Sequence, residues 1–236
     1  MKMKKEYLSH LIINMNIINE KSKPSLTSFS PNYNYFIGEE NINDKIDIDK
    51  ILEIMFIREY QLSITKEIKK DDIKINRYKI FNADIFEKKH IKDLIDVIKR
   101  SVVEYSKHLN EQLPEKLWIQ MWCNIMRENQ SIEIHQHDAT ECAYLSGNLC
   151  LQSENTKTYY INPQTYFTHF KNYYSSNNKR GNLTIFPSTL PHYTDKVEGN
   201  KPRVTIAFDI IIKENKKKLL WENKTNDLFS ENIREF

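Results

Sequence analysis

A chain of 236 residues is long enough for one large domain or two small ones, and with 39% hydrophobic and 11% aromatic residues it can bury a sizeable core. Its formal net charge of +3 is small for this length, which argues against a nucleic-acid coat or a polybasic membrane-surface protein. No apolar run approaches the ~20 residues of a membrane span. The three cysteines, Cys123, Cys142 and Cys150, are odd in number, contain no CxxC pair and sit in apolar text. They read as reduced core residues of a cytoplasmic protein. Residues 1–5 are basic, but His10, Asn14 and Asn16 interrupt the partly apolar stretch after them and no small-residue cleavage site appears, so a signal peptide is not expected.

Taken in chain order, residues 6–20 suit a short helix or a strand, and 21–34, rich in Ser, Pro and Asn, read as a loop. Residues 47–60 place Ile48, Ile51, Leu52, Met55 and Phe56 at helical spacing behind an acidic start, which predicts a helix. Residues 73–81 alternate, which predicts a strand. Asp84 with Glu87 resembles a capping box opening a long helix. Ile91, Leu94, Ile95, Ile98, Val102, Tyr105 and Leu109 form its apolar stripe, and Pro114 closes it. From residue 117 the text becomes strand-like, with expected strands at 117–126, 131–137, 142–152, 157–162, 182–187, 192–197 and 203–212. Many short strands with regular turns indicate an all-β sandwich or barrel. The charged tail carries Leu219, Leu220 and Trp221, which are expected to dock back, while the lysines at 216–218 read as solvated surface.

Residues 131–138, Ser-Ile-Glu-Ile-His-Gln-His-Asp, carry the chemistry. In a strand, residues i and i+2 share a face, so His135 and His137 project together with Glu133 beside them, and Ile132 and Ile134 face the other way. Two same-face imidazoles suit a metal, and His192, delivered by the Pro-rich bend 186–192, is the candidate third ligand. His10, His90 and His108 need no function, the latter two lying on the polar side of the long helix. Arg203 comes eleven residues after His192, across the turn 198–201. On adjacent antiparallel strands the two would sit roughly 10–13 Å apart at about 3.3 Å per residue. That separation suits a short dicarboxylic acid with one end on the metal and the other in the guanidinium fork, with Thr205 donating a second hydrogen bond.

The order H-x-H, Leu145-Ser146-Gly147, Gly181-x-Leu183-x-x-Phe186-Pro187-Ser188-x-Leu190-x-His192 and Arg203-x-Thr205-Ile206-Ala207-Phe208 resembles the Fe(II)/2-oxoglutarate-dependent oxygenase superfamily over roughly residues 118–212. The resemblance implies a mainly β fold with N-terminal helices (α+β), built on a double-stranded β-helix, the cupin-like jelly roll. The chain itself reads as a helix-bearing region at 1–115, a β core at 116–213, catalytic by the resemblance, and a charged tail at 214–236, one compact unit because no Gly/Ser/Pro linker divides the halves. The resemblance also implies Fe(II), 2-oxoglutarate and O2 as cofactors, His135 and His192 as metal ligands, and Arg203 with Thr205 on the 2-oxoglutarate carboxylate. Asn124, Trp122 and Tyr159 or Tyr160 become pocket residues. One position departs from the family pattern. His137 stands where the superfamily places Asp or Glu, so the triad becomes three histidines unless Asp138 or Glu133 substitutes. The expected reaction is hydroxylation with release of succinate and CO2. The alternatives are a three-His cupin-type metal oxygenase that does not use 2-oxoglutarate, and a non-catalytic cupin-like binding module. The expected partner is a small-molecule or peptide substrate, with no membrane and no strong nucleic-acid signal, and a homodimer is open.

Overall fold

The computed structural model of the protein describes residues 14–22, 28–29, 31–69, 72–137, 143–166, 172–212 and 233–236. In chain order the elements are β1 (Asn16–Lys21), β2 (Asn34–Asn41), α1 (Ile48–Ile64), α2 (Ile73–Ile80), α3 (Ala83–Phe86), α4 (Lys89–His108), β3 (Leu117–Met126), β4 (Ala143–Gln152), β5 (Lys157–Ile161), a 3-10 turn (Pro163–Tyr166), β6 (Tyr173–Asn177), β7 (Asn182–Pro187), β8 (His192–Thr194), β9 (Arg203–Ile212) and β10 (Ile233–Glu235). Seven strands form one antiparallel sheet in the order β1-β2-β7-β4-β9-β3-β10, and three form a second in the order β6-β5-β8. The long sheet backed by helices and the short sheet opposed to it make the jelly-roll core. Strands from the N-terminal region (β1, β2) and from the tail (β10) are part of the larger sheet.

Alternation divides the larger sheet into two chemistries. In β9, Val204, Ile206, Phe208 and Ile210 are fully buried, and they join Ile119, Met121 and Cys123 of β3 in a core shared with the helices. The residues between them, Arg203, Thr205, Ala207 and Asp209, point to the other face, because side chains in a strand alternate. The register Asn124↔Thr205 and Trp122↔Ala207 sets β3 and β9 side by side on that face. It looks onto β5 and β8, whose Tyr160 and His192 are directly paired. The helices therefore cover one face, and the other encloses a polar cavity.

The helices form for local reasons. Asp47 caps α1 by accepting from the Lys50 amide at 3.0 Å. In α4, Ile91, Leu94, Ile98 and Val102 are fully buried at helical spacing, each contributing roughly 1.5–3 kcal/mol by leaving water. Tyr105 extends the stripe and donates its hydroxyl to Phe36 O at 2.8 Å, tying α4 to β2. Gly147 leaves room for the Phe208 ring across the β4–β9 pair, since a Cβ there would lie 2.1 Å from it.

Several expectations are corrected. Residues 73–80 form a helix, not a strand. Ile73, Arg77 and Ile80 make a helical stripe as readily as Ile73, Ile75 and Arg77 make an alternating one, and an eight-residue window holds both periods. Packing decides in favour of the helix, since Tyr78 lies against Trp122 with ring centroids 5.7 Å apart. The expected capping box at Asp84 is replaced by Asn82, which accepts from the Ile85 amide at 3.2 Å, and α4 starts separately behind Lys88 with no side-chain cap. Residues 131–137 are not a regular strand. They run beside β8 with a single ladder pair, His135↔His192, and Ile134 is 55% exposed rather than buried on an inner face. Strand β6 lies outside the expected strands, and β1 and β2 border the stretch read as a loop. Asp138, Cys142, Leu219, Leu220 and Trp221 lie outside the described residues.

Candidate metal centre and co-substrate cavity

Three histidines converge. His135 and His192 form a directly opposed pair that exchanges both backbone hydrogen bonds, at 3.0 and 2.9 Å. Their rings are 4.2 Å apart between centroids. The His137 amide donates to Ser188 O at 2.9 Å, which turns its ring inward, 4.9 Å from that of His192 and 5.3 Å from that of His135. One potential ligand atom from each of the three lies within 4.8 Å of the others.

Hydrogen bonding determines which nitrogens are free. His135 Nδ1 lies 2.8 Å from Glu133 O, and His192 Nδ1 lies 2.9 Å from Leu190 O. His137 Nδ1 lies 2.6 Å from Asp209 Oδ1. A carbonyl or carboxylate oxygen only accepts, so in each ring Nδ1 carries a proton, and the neutral form of each ring presents Nε2 with its lone pair. Burial holds two of these rings neutral. Desolvation, helped by the neighbouring histidines, pushes the His192 pKa well below its usual value, and desolvation, opposed by the Glu133 carbonyl, lowers that of His135 to about 4. Three preoriented imidazoles with free Nε2 atoms fit a divalent transition metal. Glu133 touches the group through its backbone carbonyl, while its side chain is exposed on the rim.

The cavity beyond the histidines is lined by Trp122, Asn124, Thr158, Tyr160, Phe186 and Arg203, among others. Arg203 is 2% exposed. Its Nη2 donates to Thr158 Oγ1 at 3.2 Å, whereas Nε and Nη1 have no partner. Burial pulls its pKa down, because the charged form is the one that loses hydration. Two orphaned donors on a buried cation fit a carboxylate, the group that takes a guanidinium fork. Asn124 is buried with Oδ1 unpartnered, and its Nδ2 lies 3.5 Å from Thr205 Oγ1, a long contact. Tyr160 is anchored by its hydroxyl, 2.7 Å from Thr184 Oγ1, and its ring backs His192 at 5.9 Å. Tyr159 lies outside this cavity, stacked on Tyr193 at 4.7 Å.

One expected relation is corrected. His192 and Arg203 are not on adjacent strands of one sheet. His192 is on β8 of the three-stranded sheet and Arg203 on β9 of the seven-stranded sheet. The segment 195–202 is therefore a crossover between sheets rather than a hairpin, and the two side chains meet across the cavity.

Asp209 and Thr158 are at the site and were not singled out from the sequence. For Asp209 a signal was present, since Arg203-x-Thr205-x-Ala207-x-Asp209 continues one strand face. For Thr158 there was none, because it comes from a strand paired with β8 in the other sheet.

The inner cavity has a volume of ≈ 30 Å³. A larger pocket of ≈ 790 Å³ adjoins it, lined by Lys69, Asp72, Ile73, Lys74, Arg77 and residues 131–135. Arg77, Ile132 and His135 border both. Among the described residues no helix is long and apolar enough to cross a membrane.

Residues 120–209 match the family model described as "Putative 2OG-Fe(II) oxygenase". No curated protein matches the chain. Among solved structures, a Pseudomonas putida prolyl-4-hydroxylase superposes with a TM-score of 0.51 at 8% identity, covering 75% of this chain and 88% of that one. AviO1 from Streptomyces viridochromogenes Tue57 superposes with a TM-score of 0.50 at 9% identity, covering 75% and 90%. At such identities the superpositions speak for the fold alone. The family match covers the core of the chain, residues 120–209, and that segment is similar to the 2OG-Fe(II) oxygenases on a jelly roll that brings His135, His137 and His192 together.

Proposed function

We propose that the protein is a 2-oxoglutarate-dependent dioxygenase that holds Fe(II) on His135, His137 and His192 and hydroxylates a small-molecule or peptide substrate, releasing succinate and CO2. The observation that carries this reading is a buried Arg203 with two unpartnered nitrogens in the same cavity as three histidines with free Nε2 atoms. When bound, Fe(II) with 2-oxoglutarate and O2 supplies oxidative decarboxylation coupled to oxidation of a substrate C–H bond. The chain's own residues do the rest. Arg203 fixes the distal carboxylate of 2-oxoglutarate, and Thr205 and Asn124 offer polar atoms beside it. Tyr160, Phe186 and Trp122 wall the cavity against water. The outer pocket, sharing Arg77 and His135 with the inner one, receives the substrate. Two buried free thiols, Cys123 and Cys150, suit a reducing cytoplasm.

A second reading rests on the cavity volume. A space of ≈ 30 Å³ holds a water-sized group, so a five-carbon dicarboxylate enters only if the lining side chains move apart. A three-histidine metal oxygenase that needs no 2-oxoglutarate requires no such movement. Anaerobic titration separates the two. In the proposed function, Fe(II) and then 2-oxoglutarate produce a visible charge-transfer band, and admitting O2 yields succinate. Metal binding without either signal rules out the 2-oxoglutarate reading.

A further inference from the structure

The three imidazoles are neutral ligands, so the metal would keep its full charge unless an anion stands nearby. Where the superfamily pattern has a carboxylate ligand, this chain has His137. The carboxylate missing from the ligand set is found one hydrogen bond away. Asp209 Oδ1 lies 2.6 Å from His137 Nδ1, and this pair is largely enclosed, with side chains 15% and 9% exposed. The fully buried Ser146 donates to the same Oδ1 at 2.6 Å, and Ser146 Oγ is also 2.8 Å from Ser188 Oγ and 2.9 Å from His137 Nδ1. The other two histidines rest on backbone carbonyls, which are neutral. The His137 side chain is thus the one with a charged acceptor behind it.

We propose that Asp209 is a positioning residue that restores the negative charge of this metal site from behind, holding His137 Nδ1–H so that Nε2 is aimed at the metal and made more basic. The pair His137–Asp209 then stands in for a directly bound carboxylate. A carboxylate accepting the far N–H of a metal-bound histidine fixes the tautomer and the ring plane and strengthens the donor, and such partners typically carry 10–100-fold in metal affinity. The geometry comes from the strand. Asp209 shares its face with Arg203 and Thr205, and the register Ser146↔Asp209 places the serine directly opposite it. One strand face therefore supplies the co-substrate's cation at one end and the metal site's anion at the other.

This inference rests on the metal-centre reading above, and a metal-affinity cycle tests both separately. Co(II) is titrated anaerobically into four metal-free chains: wild type, Asp209→Asn, His137→Asp and the double variant. Asn keeps the shape and an acceptor oxygen but not the charge. In the wild-type background, Asp209→Asn is expected to weaken Co(II) binding about 10–100-fold. In the His137→Asp background the metal has its own carboxylate, and Asp209→Asn is expected to cost less than threefold or to tighten binding by removing a like charge. An equal loss in both backgrounds assigns Asp209 a merely structural role and overturns the proposal, as does no loss in wild type. Absence of Co(II) binding by the wild-type chain overturns the metal-centre reading and this inference together. Should His137→Asp not fold, Ser146→Ala replaces it, since it leaves the carboxylate in place. It is expected to cost less than threefold, and a loss as large as that of Asp209→Asn overturns the proposal.

Discussion

Replacing Arg203 by Met separates its proposed function from any part in folding. The guanidinium is 2% exposed, and its hydrogen bond to Thr158 leaves Nε and Nη1 without partners. A buried charge so poorly compensated opposes folding, and exchanging buried ionic groups for apolar residues of similar volume is often neutral or stabilising by about 1–4 kcal/mol. At about 2–4 °C per kcal/mol for a domain of this size, Arg203→Met should leave Tm unchanged or raise it by several degrees. The ligand response should move the other way. Two charge-assisted hydrogen bonds at about 1.5–3 kcal/mol each make the loss about 3–6 kcal/mol, a factor of roughly 10²–10⁴ in 2-oxoglutarate affinity. With 2-oxoglutarate at 100 times the wild-type Kd, the wild-type fold gains about 2.7 kcal/mol, or roughly 5–10 °C, whereas the variant gains under about 0.5 kcal/mol. Anaerobic thermal unfolding with and without 2-oxoglutarate, in the presence of a redox-inert divalent metal, reads both effects. A variant destabilised by more than about 1 kcal/mol, or one that keeps the wild-type ligand shift, refutes the assignment of Arg203.

Two further outcomes are set by packing and burial. Gly147→Ala places a methyl 2.1 Å from the Phe208 ring, so urea unfolding should show a loss of about 1–3 kcal/mol, and a change within about 0.5 kcal/mol would show that the ring shifts freely. Cys123 is fully buried, and burial raises its thiol pKa; that of Cys150, buried and donating to Asn178 O at 3.2 Å, is pushed up to about 11. A raised pKa means less thiolate at pH 8, so both should resist an alkylating reagent in the native protein and react only on unfolding, as mapped by mass spectrometry.

Much of the β-half was legible because its signals are local. β3, β7 and β9 have the bounds expected from alternation and turn residues, and the stripe of α4 was plain in its spacing. The N-terminal region was less legible. In residues 73–80 both periods fit, and contact with Trp122 selected the helix. The stretch around His135 and His137 was read as a strand on good periodicity, yet its backbone donors go to β8, to Ser188 and to a threonine side chain, so no ladder extends. The histidines converge all the same, because the His135↔His192 bridge and the Ser188 contact orient them one by one.

His135, His137, His192 and Arg203 could be singled out in the sequence because their residue types and order are chemical signals carried by neighbours along the chain. Their spatial relation could not. Whether the segment after His192 returns in the same sheet or crosses to the other depends on which strands each end pairs with, and that is decided by contacts far apart in sequence. The fold puts His192 and Arg203 on opposing sheets, closes the cavity between them, and brings Asp209 to His137 across 72 residues of chain. The sequence alone told that a carboxylate was missing from the H-x-H motif. Only the tertiary structure brought one to it, through the Ser188 contact that turns His137 inward and a β4–β9 pairing that sets Ser146 beside Asp209, neither of which a local pattern encodes.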